Sequence, residues 1–309
     1  MKHFKLLAVL LVFLLGAWPL AVDAREFEVK QRLVVFPPGS LNAIVGTQAF
    51  DPQRLRSIAE NLFAQPVEDI MQKIGRAGVW PEVGENVFYF SGKKIRVDST
   101  DANGKMSGIM RLDQRKIYSI MWAEKQYTEI SMESMKQMQK QAGDAMKNMP
   151  PMEEALEQMP PEVRAQMQAR AGASPAQQQE VKVTKTNRTA TINGFPCDEY
   201  RAEMAAAAAQ LYVSNKYPEV RQAFDIMMKE FGGFQELAGE SGMQQVFNKI
   251  PNGLPVIVKQ FELDPFSTEP TYHVTEIVSV TERKLPPDVF EPPAGFSRVA
   301  LPAHPGAGY

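Results

Sequence analysis

The 309 residues carry 34 Lys and Arg against 36 Asp and Glu, a formal net charge of −2, with 44% hydrophobic and 23% charged residues. That balance supplies no field for nucleic acid or anionic lipid, and the apolar share excludes wholesale disorder. One Cys rules out an intramolecular disulfide and an all-thiolate metal site, three His leave little for zinc or triad chemistry, and 17 Met and 23 Pro stand out.

Met1 to Lys5 is a short cationic head, Leu6 to Leu15 an apolar run, and Val22-Asp23-Ala24 a small-residue exit. This is the pattern of a secretory signal peptide over residues 1–24, its apolar stretch too short to span a bilayer stably. No Cys lies near the cut, so no lipid anchor is expected. Removing Lys2, Lys5 and Asp23 leaves 32 basic against 35 acidic residues, net −3. No second run of about 18 apolar residues follows, so the mature chain is expected to be periplasmic or secreted and not an integral membrane protein. Cys197 is expected as a buried small hydrophobe.

Phe27, Val29, Leu33 and Val35 alternate with Glu28, Lys30 and Arg32, the period of a strand with one dry face, stopped by Pro37-Pro38-Gly39. From Asp51 the period becomes helical. Leu55, Ile58, Leu62, Val67, Ile70, Met71 and Ile74 keep one apolar face to Gly75, which predicts a helix pair broken near Pro66. Residues 86–130 read as a meander of short strands: Val87–Phe90, Lys94–Asp98, Ser107–Leu112, Lys116–Trp122 and Gln126–Ile130. Asn103-Gly104 is its strongest turn. Tyr118, Ile120 and Trp122 fall on one face, Ile117 and Met121 on the other.

From Met132 to about Pro175 the composition shifts to Met, Gln, Ala, Glu and Pro. Met132, Met135, Met138, Ala142, Met146 and Met149 step by three or four, one stripe of a helical insertion. Met149-Pro150-Pro151 and Met159-Pro160-Pro161 then end and restart helices. Strands return at Val181–Ile192 and Phe195–Met204 around Asn193-Gly194, while Ala205–Ala209 is ambiguous between helix and strand. Val220, Phe224, Met228 and Phe231 predict a helix stopped by Gly232-Gly233, with a short one between Phe234 and Ile250. Pro255–Leu263 and Thr271–Val280 are the last strands, and the Pro-rich segment from Leu285 is expected to lie extended along the body. Sheet on both sides of helical inserts argues for one α+β domain.

Catalytic signatures are missing: there is no Gly-x-Ser-x-Gly, no Gly-x-x-x-x-Gly-Lys, no Gly-x-Gly-x-x-Gly, no His-Glu-x-x-His and no Cys-x-x-Cys. The mature histidines are His273, on a strand, and His304, near the end. No enzyme activity and no cofactor is expected. The Met stripe admits three readings: flexible thioethers that seat the insertion on the sheet, an adaptable apolar lid for acyl chains, or a thioether site for Cu(I) at Met132, Met135 and Met138.

Lys94-Ile95-Arg96-Val97-Asp98, Met110-Arg111-Leu112-Asp113 and Lys116–Ile120 with Lys125–Glu129 form one recognisable half. Thr189–Tyr200, closed by Leu285–Phe296 with its Phe-x-x-Pro-x-Gly-Phe ending, forms the other. Over roughly residues 86–300 the order resembles a family of exported bacterial proteins of unknown function, similar in fold to the Lol-type outer-membrane lipoprotein carriers. The resemblance implies a curved antiparallel sheet, an open half-barrel, covered by helices and able to enclose acyl chains.

The expectation is therefore a single α+β domain at 25–300, with a Met-rich helical insertion at about 131–178 and a disordered tail at 301–309. Its expected function is to bind an apolar or lipid-like ligand between sheet and helical lid. The candidate contacts are Phe90, Tyr118, Ile120, Trp122, Met132, Met135, Met138 and Met146. The alternatives are Cu(I) binding by Met132, Met135 and Met138, or an envelope-assembly or interaction protein whose partner is another envelope protein.

Overall fold

The computed structural model describes residues 25–37, 39–45, 52–102, 104–135, 137, 140, 181–204, 207–236, 242–250, 253–263 and 270–300. The predicted leader, most of the Met-rich insertion and residues 301–309 lie outside the described residues.

Twelve strands form one sheet: β1 (Glu26–Phe36), β2 (Glu82–Ser91), β3 (Lys94–Asp101), β4 (Gly104–Arg111), β5 (Lys116–Met121), β6 (Gln126–Ser131), β7 (Lys182–Ile192), β8 (Phe195–Glu203), β9 (Ala207–Ser214), β10 (Leu254–Leu263), β11 (Pro270–Glu282) and β12 (Ser297–Val299). Their order is β12-β6-β5-β4-β3-β2-β1-β11-β10-β9-β8-β7. Only β12 runs parallel to its neighbour, β6; the other neighbours are antiparallel. The helices are α1 (Asn42–Val45), α2 (Pro52–Ala64), α3 (Val67–Arg76), α4 (Pro218–Glu236) and α5 (Gly242–Lys249). Among the described residues, none is long and apolar enough to cross a membrane.

This corrects the expected half-barrel covered by helices. Among the described residues a mostly antiparallel sheet of twelve strands dominates, the helices are few, and the sheet is open. The ambiguous alanine run contributes: its residues 207–209 belong to β9, where Ala209, Leu211 and Val213 face one apolar cluster while Ala208 faces another, so the segment is buried on both sides as a central strand. Small side chains at Ala208 and Ala59 let α2 lie close to the sheet. Gly232-Gly233 does not stop α4, which runs on to Glu236; an internal glycine costs a helix only about 1 kcal/mol.

Alternation along the strands separates two faces. On the front, Phe27, Phe90, Ile95, Met110, Ile117 and Ile130 stand directly opposite one another across β1 to β6, a continuous apolar row. Each such side chain contributes about 1.5–3 kcal/mol when fully buried. Val220, Ala223, Phe224 and Met227 of α4 cover this row. Further along the front, Val246 and Ile250 at α5 cover Ala202, Ala209 and Leu211.

The back carries two separate covers. Leu62, Phe63, Ile70 and Ile74 of α2 and α3 pack on Val34, Phe36, Phe261 and Tyr272. Lys259 fastens this end, its Nζ donating to the carbonyls of Phe63 (2.8 Å) and Gln65 (3.1 Å) at the end of α2 and just past it. At the other end Leu285, Val289, Phe290 and Phe296 cover Ile109, Tyr118 and Ile120. The Pro-rich segment therefore lies along the body as a strap.

Candidate functional site

The largest apolar cluster lies on the front beneath α4. The rings of Phe88 and Phe90 are stacked at 6.1 Å, and Phe224 of α4 meets both edge-on, at 4.9 and 5.2 Å. Met135, from the helical residues that follow β6, packs into the same cluster with Met110. The space that a ligand would use on this face is filled by a side chain of the helix itself.

Arg221 attaches the start of α4. Arg221, 9% exposed, donates from Nη1 to the Gly253 carbonyl (2.8 Å), from Nη2 to the Phe247 carbonyl (3.3 Å) and from Nε to Asp225 (2.7 Å). Just before the helix, Tyr217 holds φ +61, a left-handed conformation that is strained for an aromatic residue. Pro at the next position restricts it further. Its ring is held edge-on to Phe27 at 6.1 Å and Phe195 at 6.0 Å, with the Lys216 ammonium 5.2 Å from its centre. An open cleft of ≈ 480 Å³, lined in part by Thr189, Asp198, Asn215 and Lys216, flanks this junction.

The structure does not bring the eight predicted contacts together. Phe90 is buried on the front, under Phe224. Tyr118 and Ile120 are buried on the back with Trp122 beside them, and the strap occupies that side. The Trp122 ring stands edge-on to Phe296 at 5.3 Å, and its Nε1 donates to Ser107 Oγ at 2.7 Å. Met132 and Met135 are both buried, Met135 in the front cluster. Met138 and Met146 lie outside the described residues. Among the described residues no group of His, Cys, Asp or Glu is placed to hold a metal ion.

Phe88, Phe224 and Tyr217 are the front-face residues that the sequence does not single out as contacts. A signal for Phe88 exists, because Phe88 and Phe90 alternate on one strand; the signal for Phe224 is its helical spacing from Val220. Cys197 is buried at 4% exposure, and burial pushes its thiol up to about 11. It is a packing residue.

Comparison with solved structures gives distant likenesses. An uncharacterized conserved protein from Thermus thermophilus is 6% identical with a TM-score of 0.36, covering 90% of this chain and 91% of that one. Two crystal forms of PNGF-II are 8% and 10% identical with TM-scores of 0.30 and 0.24; each aligns with 90% of this chain, which spans 31% and 32% of their length. No curated protein matches this chain. The model of the domain of unknown function DUF4412 matches residues 81–151 and 152–296, most of the sheet and both front helices, so the chain belongs to the DUF4412 family.

Proposed function

We propose that the chain is an exported binding module that takes an apolar or lipid-like ligand between the front face of its sheet and helix α4. The observation that carries this reading is Phe224, seated on Phe88 and Phe90 by a helix whose bonds to Gly253 and Phe247 lie in its first turns, just beyond the strained Tyr217. A chain of about sixteen carbons offers roughly 12 kcal/mol gross at ~0.8 kcal/mol per CH₂. Association and ordering remove on the order of 4–15 kcal/mol. Withdrawing one phenyl ring costs about 1.5–3 kcal/mol of burial and ~0.5–1.5 kcal/mol for each aromatic pair. An acyl chain that takes over the ring's contacts offsets that cost, so exchange of ring for ligand is energetically accessible. The leader at residues 1–24 and the resemblance of the sequence order to Lol-type carriers support export and an acyl ligand.

Native mass spectrometry of protein purified from its own compartment tests the reading. A bound species of lipid mass, together with a rise in Tm on adding a long-chain fatty acid, is the expected result. Repeated absence of both overturns it.

A further inference from the structure

A ligand of this kind has to come from somewhere, and a second surface, away from α4, has the features of a docking site. On the back of the sheet a stretch between α3 and the strap is left uncovered as a groove of ≈ 420 Å³. Val83 and Val278 are its apolar lining, each 47% exposed. Its charged lining carries both signs: Lys30 and Arg32 on β1, Glu85 on β2 and Asp101 on β3. Trp80 is 73% exposed, three residues ahead of Val83, with Val79 beside it at 37%. A Cβ on Gly75 would stand 2.9 Å from the Trp80 ring, so the indole lies against α3, the helix whose Glu68 and Met71 hold Arg32 at the groove. Trp80 therefore stands on the α3 side of the groove, three residues from its lining Val83.

We propose that this groove and Trp80 dock on a zwitterionic phospholipid bilayer, the source or destination of the ligand; the proposal rests on the reading above. An indole has an apolar body and one N–H donor, the combination that settles at headgroup depth. Lys30 and Arg32 stand beside Glu85 and the Glu68 that holds Arg32, so the groove presents charges of both signs, as does a headgroup that carries a phosphate and an ammonium. The same balance, on a chain of net charge −2, gives no pull toward an anionic surface.

The test is tryptophan emission with vesicles of phosphatidylcholine and phosphatidylethanolamine, with and without brominated acyl chains, against vesicles rich in phosphatidylglycerol. The expected result is a blue shift, and quenching by bromine, in the wild-type chain on zwitterionic vesicles but not in Trp80→Phe. Trp80→Ser and Val83→Asp should each lower partitioning by roughly tenfold while leaving Tm unchanged, because both positions are exposed. Quenching that survives in Trp80→Phe, binding confined to the anionic vesicles, or a concentration-dependent blue shift without vesicles, which would mean that a second copy covers Trp80, overturns the proposal. If fatty acid still raises Tm while vesicles leave Trp80 unquenched, the docking surface fails and the ligand reading stands. Quenching without any response to fatty acid is the reverse.

Discussion

The Arg96 guanidinium donates from Nη1 to the main-chain carbonyl of Val289 at 2.9 Å, across 193 positions of the chain. Its other nitrogens grip Asp98, with Nε–Oδ1 2.6 Å and Nη2–Oδ2 3.2 Å. Arg111 repeats the arrangement one strand away, paired with Asp113 and with Glu291 of the strap. Two buried arginines, each braced by the acid two residues later, thus hold the strap down over Tyr118 and Ile120.

Replacing Arg96 with Gln is expected to cost on the order of 3 kcal/mol, because Asp98 is left as a buried carboxylate with Lys105 as its remaining cationic partner among the described residues. Urea unfolding measures the loss. Limited proteolysis should show faster cutting between residues 283 and 290, which separates release of the strap from general loosening.

Acid should unfold the protein through these same carboxylates. Burial pushes Asp98 up, but hydrogen bonds from Arg96 and Ser107 outweigh it, and the group ends below its usual range. Glu199, buried on the back, behaves alike through Gln210 and Arg201, and the Arg111 hydrogen bond lowers Asp113. A carboxylate whose folded pKa lies below its unfolded value stabilises the fold above that unfolded value. The stabilisation is lost as pH falls through the folded one. The urea midpoint should therefore be flat near neutrality and fall between about pH 5 and pH 3, less steeply in Arg96→Gln.

Phe224→Ala is expected to destabilise the ligand-free chain by about 3–5 kcal/mol. If an acyl chain takes the place of the ring, long-chain fatty acid should restore more stability to this variant than to the wild type. Equal Tm rises in the two proteins would place the ligand elsewhere.

Asn193 turns β7 into β8 with φ +50, and its Nδ2 reaches Glu276 Oε1 (2.9 Å) and the Ile277 carbonyl (3.0 Å) on β11. Asn193→Gly loses only those bonds, about 1 kcal/mol. Asn193→Ala should be worse by about a further 1–2 kcal/mol, the cost of a Cβ in the left-handed region. Thermal unfolding of the pair reads the difference directly.

Cys197 should be silent to a disulfide exchange reagent at pH 8 in the folded protein and react fully in denaturant, since its thiol stays protonated and buried.

What the sequence disclosed of this fold was its local period. Alternation places Phe27 and Val29 on one side of β1, and helical spacing places Ile70 and Ile74 on one side of α3. Parity within a strand does not say which side of the next strand it meets, and so the sequence groups Phe90 and Tyr118 in one hollow although the register puts them on opposite faces. The alanines before Gln210 have no period of their own; only the covers on both faces make them a strand. The strap is legible as an extended Pro-rich segment, but nothing local in Arg96 or Arg111 announces a partner nearly two hundred positions away.

β1 sits between β2 and β11, so the first strand of the described chain is the seam along which its two halves are joined. One of those neighbours, β11, comes after nine intervening strands, and the seam cannot close until it pairs. Loop closure over that span is slow compared with making a local hairpin. A chain with this wiring cannot complete its sheet until β11 pairs with β1, whatever local hairpins have already formed on either side.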